Sequence, residues 1–117
     1  QPLVAFPAHW APNDLLFYDG AQYPARFREG AFVVFHGSWN RAPLEQGGYQ
    51  VAFAPQGDGE FTGRYETFAA GFAVTSPLLS PQDAVHRPVG IAQGPDGSLY
   101  VTSDVGGTVW RIIYAGT

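Results

Sequence analysis

Gly30-Ala31-Phe32-Val33-Val34-Phe35-His36-Gly37-Ser38-Trp39-Asn40-Arg41, residues 30–41, is the stretch from which the fold can be inferred. Residues 31–35 are a continuous apolar run, which is typical of a strand buried on both faces. Residues 36–41 follow at once and supply an imidazole, a hydroxyl, an indole, an amide and a guanidinium, more recognition groups than a connecting turn needs. The pattern predicts a strand that delivers a site loop. The alternative is a polar hairpin whose Trp39 folds back over the sheet.

The composition favours an all-β chain of one domain. The 117 residues include 15 Gly, ten Pro, nine Phe, six Tyr and three Trp, and no helical periodicity of useful length is present. A window of 18 apolar residues is absent, so no membrane span is expected. The net charge is −4 and all six positive side chains are Arg, which argues against nucleic acid as a partner. The chain has no Cys, which excludes disulfides, thiol catalysis and thiolate metal sites.

Turn residues divide the chain into short predicted strands. An extended segment is possible at Leu3–Phe6, and residues 21–30 and 73–85 are predicted as an insertion and a linker. The predicted strands are 15–18, 31–36, 49–53, 64–68, 89–92, 98–102 and 108–114.

The turns also reveal an internal repeat. His9 and His86 are 77 residues apart, as are the Asp-Gly turns at 19–20 and 96–97. Residues 30–34 match residues 97–101 at an offset of 67, because the first unit carries the insertion. The repeat predicts two units, 3–72 and 86–117, joined by the linker. The first has four strands and the second has three.

Four-stranded antiparallel units with apolar middle strands suggest about two blades of a β-propeller. In that architecture the start of a blade's first strand and the connection between its second and third strands lie at one end. His9 and Trp10, residues 36–41, and His86 with Arg87 would therefore lie together, and the insertion and Asp96 would lie at the opposite end. Loops gathered on a rigid scaffold are where binding residues concentrate.

Several of these segments carry a family resemblance. Residues 8–12, the Phe-Val-Val-Phe-His-Gly-Ser-Trp-Asn-Arg run at 32–41, and Arg87-Pro88-Val89-Gly90 with the Pro-Asp-Gly-Ser-Leu-Tyr-Val segment at 95–101 resemble the carboxy-terminal part of pyrroloquinoline-quinone-dependent sorbosone and glucose dehydrogenases. The resemblance implies a six-bladed propeller in the periplasm or outside the cell. It also implies that the quinone and a calcium ion lie on the channel face, where an aldose or polyol is oxidised.

The resemblance and the residue types together indicate candidate roles. Cofactor contacts are expected from His36, Trp39, Asn40, Arg41 and Arg87, since guanidinium groups pair with the quinone's carboxylates and an indole stacks on its ring. For Arg87 the alternative is a structural ion pair with Asp104 or another acidic neighbour. Substrate contacts are expected from His9 and Trp10, although His9 could simply be a half-buried structural imidazole.

Two parts of the family's site are not expected in this chain. The resemblance places the general base, a His, and most of the calcium-holding backbone carbonyls on other blades. Asp14, Asp19 and Asp96 lack the clustered spacing of a calcium loop, so no metal ligand is assigned.

Three functions remain open from the sequence. The chain is part of a quinone-dependent sugar dehydrogenase, a non-catalytic carbohydrate-binding propeller, or an assembly scaffold. Two blades cannot close a ring, and Phe32, Val34, Tyr100 and Trp110 would be wet if their sheets stood alone. The expected partners are therefore a sugar and further blades, supplied either by a longer chain or by copies in a homotrimer whose Leu3–Phe6 segments complete neighbouring blades.

Overall fold

The computed structural model describes residues 1–74 and 77–116, and it is all-β. The first sheet contains five antiparallel strands, in which β1, β2 and β3 are consecutive neighbours and both β4 and β5 pair with β3. Its strands are β1 (Pro12–Tyr18), β2 (Gly30–Phe35), β3 (Gln50–Gly57), β4 (Glu60–Phe61) and β5 (Glu66–Ala69).

The second sheet has three antiparallel strands in chain order. These are β6 (Pro88–Gln93), β7 (Leu99–Ser103) and β8 (Val109–Ile112). Two short 3₁₀ helices, Ala25–Phe27 and Pro81–Asp83, lie in the connections.

The two sheets repeat each other down to an irregularity in their first strands. The register shifts between Pro12 and Asp14 in β1 and between Pro88 and Gly90 in β6. After the shift, Asp14 pairs with Val34 and Gly90 with Thr102. Val34 is therefore equivalent to Thr102 and not to Val101, so the offset of 67 predicted between the middle strands is wrong by one residue. Both faces of β2 are apolar, and such a strand does not reveal a one-residue slip.

The main core lies between the two sheets. Its buried residues come from both sides, and the first sheet also contributes aromatic side chains from the connection after β1. They are Tyr18, Tyr23, Phe27, Phe32, Val34, Val51, Phe53, Leu99 and Val101. Phe32 and Val34 are fully buried here, and Trp110 packs against the cluster. The expectation that these side chains would be wet in the isolated chain is wrong for Phe32 and Val34, because the sheets cover each other, whereas Tyr100 and Trp110 stay partly exposed.

The opposite face of the first sheet is only partly covered. Phe35 is buried beneath Phe6 and Trp10, with ring centroids 4.8 and 5.1 Å away. Phe6 also contacts Tyr65. The segment Leu3–Phe6 forms no strand and lies on its own sheet, unlike the free strand expected from the sequence.

The described part of residues 73–85 is packed and not a loose connection. Ala73, Leu78 and Ala84 are buried with Tyr49, and the Leu78 carbonyl accepts a 2.7 Å hydrogen bond from the Gln46 amide. Residues 75 and 76 of this predicted linker lie outside the described residues. Within the described part of the chain, no helix is long and apolar enough to cross a membrane.

Candidate functional site

Four chain segments meet at one end of the paired sheets, which we call the loop end. It comprises the segment before β1, the loop 36–48 between β2 and β3, the residues before β6, and the residues after β7. The amides of His36 and Gly37 donate to the carbonyls of Ala11 and Trp10, at 2.9 and 3.0 Å. The repeat predicted this meeting because antiparallel strands return to the same end.

Ser38 holds the first turn of the 36–48 loop. The residue is fully buried, and its hydroxyl donates to the His9 carbonyl at 2.8 Å. The same oxygen accepts from the Gly47 amide at 2.8 Å, and the Tyr49 hydroxyl donates to the Ser38 carbonyl at 3.1 Å. The loop therefore returns on itself around one serine, and its shape is set by buried hydrogen bonds.

Arg87, from the second sheet, ties this loop to the other half of the molecule. The residue is 4% exposed, its Nε donates to the His36 carbonyl at 3.2 Å, and its Nη2 donates to the carbonyls of Gly37 and Ser38 at 2.9 and 3.1 Å. Its guanidinium also lies against the rings of Trp39 and Tyr49, 5.4 and 5.7 Å from their centroids. These contacts make Arg87 the support of the loop. They do not test direct contact with a cofactor, which stays a prediction.

Trp39 and Arg41 lie in the same loop but differ in exposure. Trp39 is 65% exposed although one side lies against Arg87, which leaves indole surface open to solvent. Asn40 is exposed beside it. Arg41 is half-buried and its Nε is buried, yet its side chain has no hydrogen bond or ion pair with any residue in 1–74 or 77–116. Such an unpartnered buried donor costs free energy unless a ligand or water satisfies it.

His36 pairs with Asp104, which follows β7. Its Nε2 lies 3.0 Å from each carboxylate oxygen, and its side chain is 17% exposed. Because an ionised carboxylate only accepts, Nε2 carries the proton and Nδ1 of the neutral ring is an acceptor. The alternative ion pair between Arg87 and Asp104 is wrong, since Asp104 pairs with His36 and Arg87 bonds to backbone.

The two residues predicted to contact substrate differ in exposure. His9 is exposed and is not the half-buried imidazole of the alternative interpretation. Trp10 packs edge-on to Phe35 and Tyr65, and its indole lies so close to Gly47 that an added Cβ would be 2.7 Å from Nε1. Trp10 thus packs against the loop. Neither the exposure of His9 nor the packing of Trp10 tests a role in substrate binding.

Hydrogen bonds also join the two sheets at the end opposite the loop end. Tyr18 donates to the Gly97 carbonyl at 2.7 Å, and Tyr23 donates to the Ile112 carbonyl at 2.7 Å. Hydrogen bonds from Ser98 and the Arg111 guanidinium lower the pKa of Asp96 to about 2. Burial raises the pKa of Tyr23. No group of three or more His, Cys, Asp or Glu with metal-binding geometry occurs among residues 1–74 and 77–116.

Comparison with known proteins supports a relationship over almost the whole chain. Residues 1–115 match the sequence model of a family described as TrAA12-like. The chain belongs to the TrAA12-like family. A Borreliella burgdorferi protein described as uncharacterized is 35% identical over 114 residues, which are 96% of this chain and 28% of that protein. A pyrroloquinoline quinone-dependent pyranose dehydrogenase of Coprinopsis cinerea is 31% identical over an alignment of 133 residues. The alignment covers 96% of this chain and 16% of the enzyme.

Solved structures agree. The iodide structure of Trichoderma reesei Carbohydrate-Active Enzymes Family AA12 superposes with a TM-score of 0.70 and 26% identity, covering 94% of this chain and 26% of that one. The calcium structure of the same protein gives the same values. This chain therefore spans about a quarter or less of the relatives it matches. The comparisons support kinship with sugar oxidoreductases that use pyrroloquinoline quinone. The narrower assignment to sorbosone or glucose dehydrogenases stays a prediction.

Asp104 and Ser38 are site residues to which the sequence interpretation gave no role of their own. Asp104 was considered only as a partner of Arg87, and Ser38 only as one member of the loop. The Ser-Asp pair at 103–104 directly follows a predicted strand in the second unit, and His36 is the last residue of the corresponding predicted strand in the first. That parallel position in the repeat was the signal that could have paired them.

Proposed function

We propose that the chain is part of a quinone-dependent sugar dehydrogenase and supplies contacts to pyrroloquinoline quinone from the 36–41 loop. The observation that carries this proposal is Arg41, a half-buried residue whose buried Nε has no partner among the described residues, two positions after the exposed Trp39 in the same loop. A planar tricarboxylate needs a cation that forks onto a carboxylate and an aromatic surface that stacks on its ring, and these two residues offer both. The fit comes from the chain's own orphaned donor as well as from the names of its relatives.

Each neighbouring residue has a separate task in this proposal. Trp39 stacks, Arg41 binds a carboxylate, and Asn40 and Nδ1 of His36 complete the polar contacts. Asp104 orients the His36 ring, and Arg87 holds the loop on which the other groups are mounted. When bound, the quinone accepts the hydride removed from a sugar carbon. The proton of the sugar hydroxyl requires a general base, and we assign none in this chain.

We further propose that the two sheets are neighbouring blades of a propeller that oxidises an aldose or polyol outside the cytoplasm when its ring is complete. The repeated bulge and the face-to-face packing support this arrangement. The far face of the first sheet supports it too, because Leu3, Leu15 and Phe17 are 73%, 52% and 60% exposed around an apolar groove of about 290 Å³. Another sheet packed there would cover them. Calcium enters the proposal only as the cofactor's companion in the complete ring, and none of this chain's side chains is assigned to it.

The test is to titrate the chain with pyrroloquinoline quinone and to measure the binding affinity by calorimetry. The parent should bind, and Arg41→Ala and Trp39→Ala should each weaken binding by roughly 2 kcal/mol or more, as expected for a desolvated anchor. Asp104→Asn should weaken it less, because it removes only the acceptor that orients His36. Arg26→Ala is the matched control at the opposite end, where its ion pair with Glu66 is exposed on both sides. Equal affinity of Arg41→Ala and the parent would contradict the proposal.

A further inference from the structure

A second cleft lies at the seam between the two sheets and uses no residue of the 36–41 loop. It has a volume of about 530 Å³ and is bordered by the segment that follows β5 and by β8. His86 closes one side of it. The residues that line this cleft have no role in the proposed cofactor contacts.

Aromatic rings form the wall of this cleft. Phe72 and Trp110 lie with their ring centroids 5.0 Å apart at 65°, and the His86 ring stands at 87° to Trp110 with a centroid distance of 4.9 Å. Both Phe72 and Trp110 are only partly buried. A wall of this kind offers apolar surface to a flat ligand face, and the C–H face of a pyranose is one.

The ring nitrogens of His86 and Trp110 are the polar groups of the aromatic wall. Nδ1 of His86 lies 3.1 Å from the Val105 carbonyl, so Nδ1 must donate and Nε2 is left as an acceptor. The ring lies close to Gly106, where an added Cβ would be 3.2 Å from its Cε1. The indole N–H of Trp110 has no hydrogen-bond partner among the described residues 1–74 and 77–116. The cleft thus presents one donor and one acceptor beside apolar rings.

The charges near the cleft do not favour an ionic ligand. Arg111 borders it, but its guanidinium is already bound by Asp96 and Ser98. A neutral ligand with hydroxyl groups matches this set of contacts better than a carboxylate or phosphate does.

A second, smaller hollow continues from the cleft. It has a volume of about 280 Å³ and shares Ala70, Gly71 and Val74 with the cleft. Gln46 lines it, is 6% exposed, and has a buried Oε1 without a partner among the described residues. Its Nε2 donates to the Leu44 carbonyl at 2.8 Å, so the amide orientation is fixed and Oε1 is free to accept a hydroxyl.

We propose that the cleft and the hollow together bind a neutral saccharide, with one pyranose against Trp110 and Phe72 and the next sugar unit reaching Gln46. His86 Nε2 accepts from a hydroxyl of the first unit. This goes beyond the proposed function, since it assigns a sugar-binding site that is separate from the cofactor loop and requires no chemistry there. The site would hold a saccharide chain on the molecule independently of its oxidation.

The three tryptophans provide a direct test on the whole ¹⁵N-labelled chain. Each indole N–H gives one cross-peak, assigned by single Trp→Phe variants, and cellobiose or methyl β-D-glucopyranoside is then titrated. The Trp110 peak should shift and saturate with both sugars, while Trp10, packed under the loop, should not move. His86→Ala should weaken both sugars by about 3- to 10-fold, the loss of one hydrogen bond. Gln46→Leu should weaken cellobiose and leave the monosaccharide unchanged.

The outcomes separate this proposal from the previous one. Pyrroloquinoline quinone should move the Trp39 peak, and sugars should move the Trp110 peak. If pyrroloquinoline quinone does not move the Trp39 peak while sugars still move the Trp110 peak, only the cofactor assignment is contradicted. No saturating shift of Trp110 up to about 20 mM sugar, where a millimolar site is filled, overturns the saccharide site. Equal shifts of all three peaks, or unchanged sugar affinity in both His86→Ala and Gln46→Leu, overturn it as well.

Discussion

Replacing Arg87 by Ala tests whether one buried guanidinium organises the loop end. The substitution removes three hydrogen bonds, 2.9 to 3.2 Å long, to the carbonyls of His36, Gly37 and Ser38. A hydrogen bond from a charged donor contributes about 1.5–3 kcal/mol, and the bonds are not additive because two of them share one nitrogen. We therefore expect the free energy of unfolding to fall by about 3–5 kcal/mol, which is less than the sum of three such bonds.

The assay is urea unfolding at neutral pH, followed by circular dichroism. Arg87→Lys keeps the charge but loses the planar fork, so we expect its stability to lie between those of Arg87→Ala and the parent. Arg26→Ala is the control, and it should change the free energy of unfolding by less than about 0.5 kcal/mol, since its partner Glu66 and Arg26 itself are 45% and 71% exposed. If Arg87→Ala lost under about 1 kcal/mol, the support assigned to Arg87 would be refuted. If Arg87→Ala is unfolded even without urea, the free energy of unfolding of Arg87→Lys, compared with that of the parent, still tests the role of Arg87.

Three further predictions concern activity, assembly and acid stability. The 117-residue chain with added quinone and calcium should not reduce a dye acceptor at the expense of glucose, because no general base is assigned in it; cofactor-dependent turnover would contradict this and make His36 the first suspect. Light scattering on the isolated chain should give a homo-oligomer, most simply a trimer, because Leu15 and Phe17 leave an apolar face open; a stable monomer near 12.6 kDa would be inconsistent with the assembly. The lowered pKa of Asp96 means that its ionised form stabilises the fold above its ordinary pKa of 3.8, and that this contribution is lost as the pH falls through about 2. Asp96→Asn should therefore narrow the difference in Tm between about pH 5 and about pH 2, and an unchanged difference would contradict the role given to Arg111 and Ser98.

The sequence was sufficient for seven of the eight strands in the described residues, all except the two-residue β4, and for the meeting of segments at the loop end. Glycine and Asp-Gly turns separate the predicted strands, and antiparallel connections return to the same end, so the sequence alone places residues 36–41 and Arg87 together. The partner of Arg87 could not be predicted, because its acceptors are backbone carbonyls, which carry no signal in residue type. Attention to side chains alone favoured an ion pair with Asp104.

Two other errors arise because residue types do not show which face of a sheet a side chain covers. Val34 and Val101 looked equivalent because both β2 and β7 are apolar on neighbouring positions, and only the ladder reveals the slip. Leu3–Phe6 looked like a free strand because its composition suits one, yet Phe6 packs against Phe35 and Tyr65 of its own sheet and its flank. The sequence pattern records which residues are apolar, and the packing decides which face they cover.

The most direct measurement of the central claim is a crystal structure of the chain with pyrroloquinoline quinone bound. The account predicts a cofactor carboxylate within hydrogen-bonding distance of the Arg41 guanidinium, roughly 2.7–3.2 Å, with the quinone ring stacked on Trp39. A quinone bound elsewhere, without contact to Arg41, would contradict it.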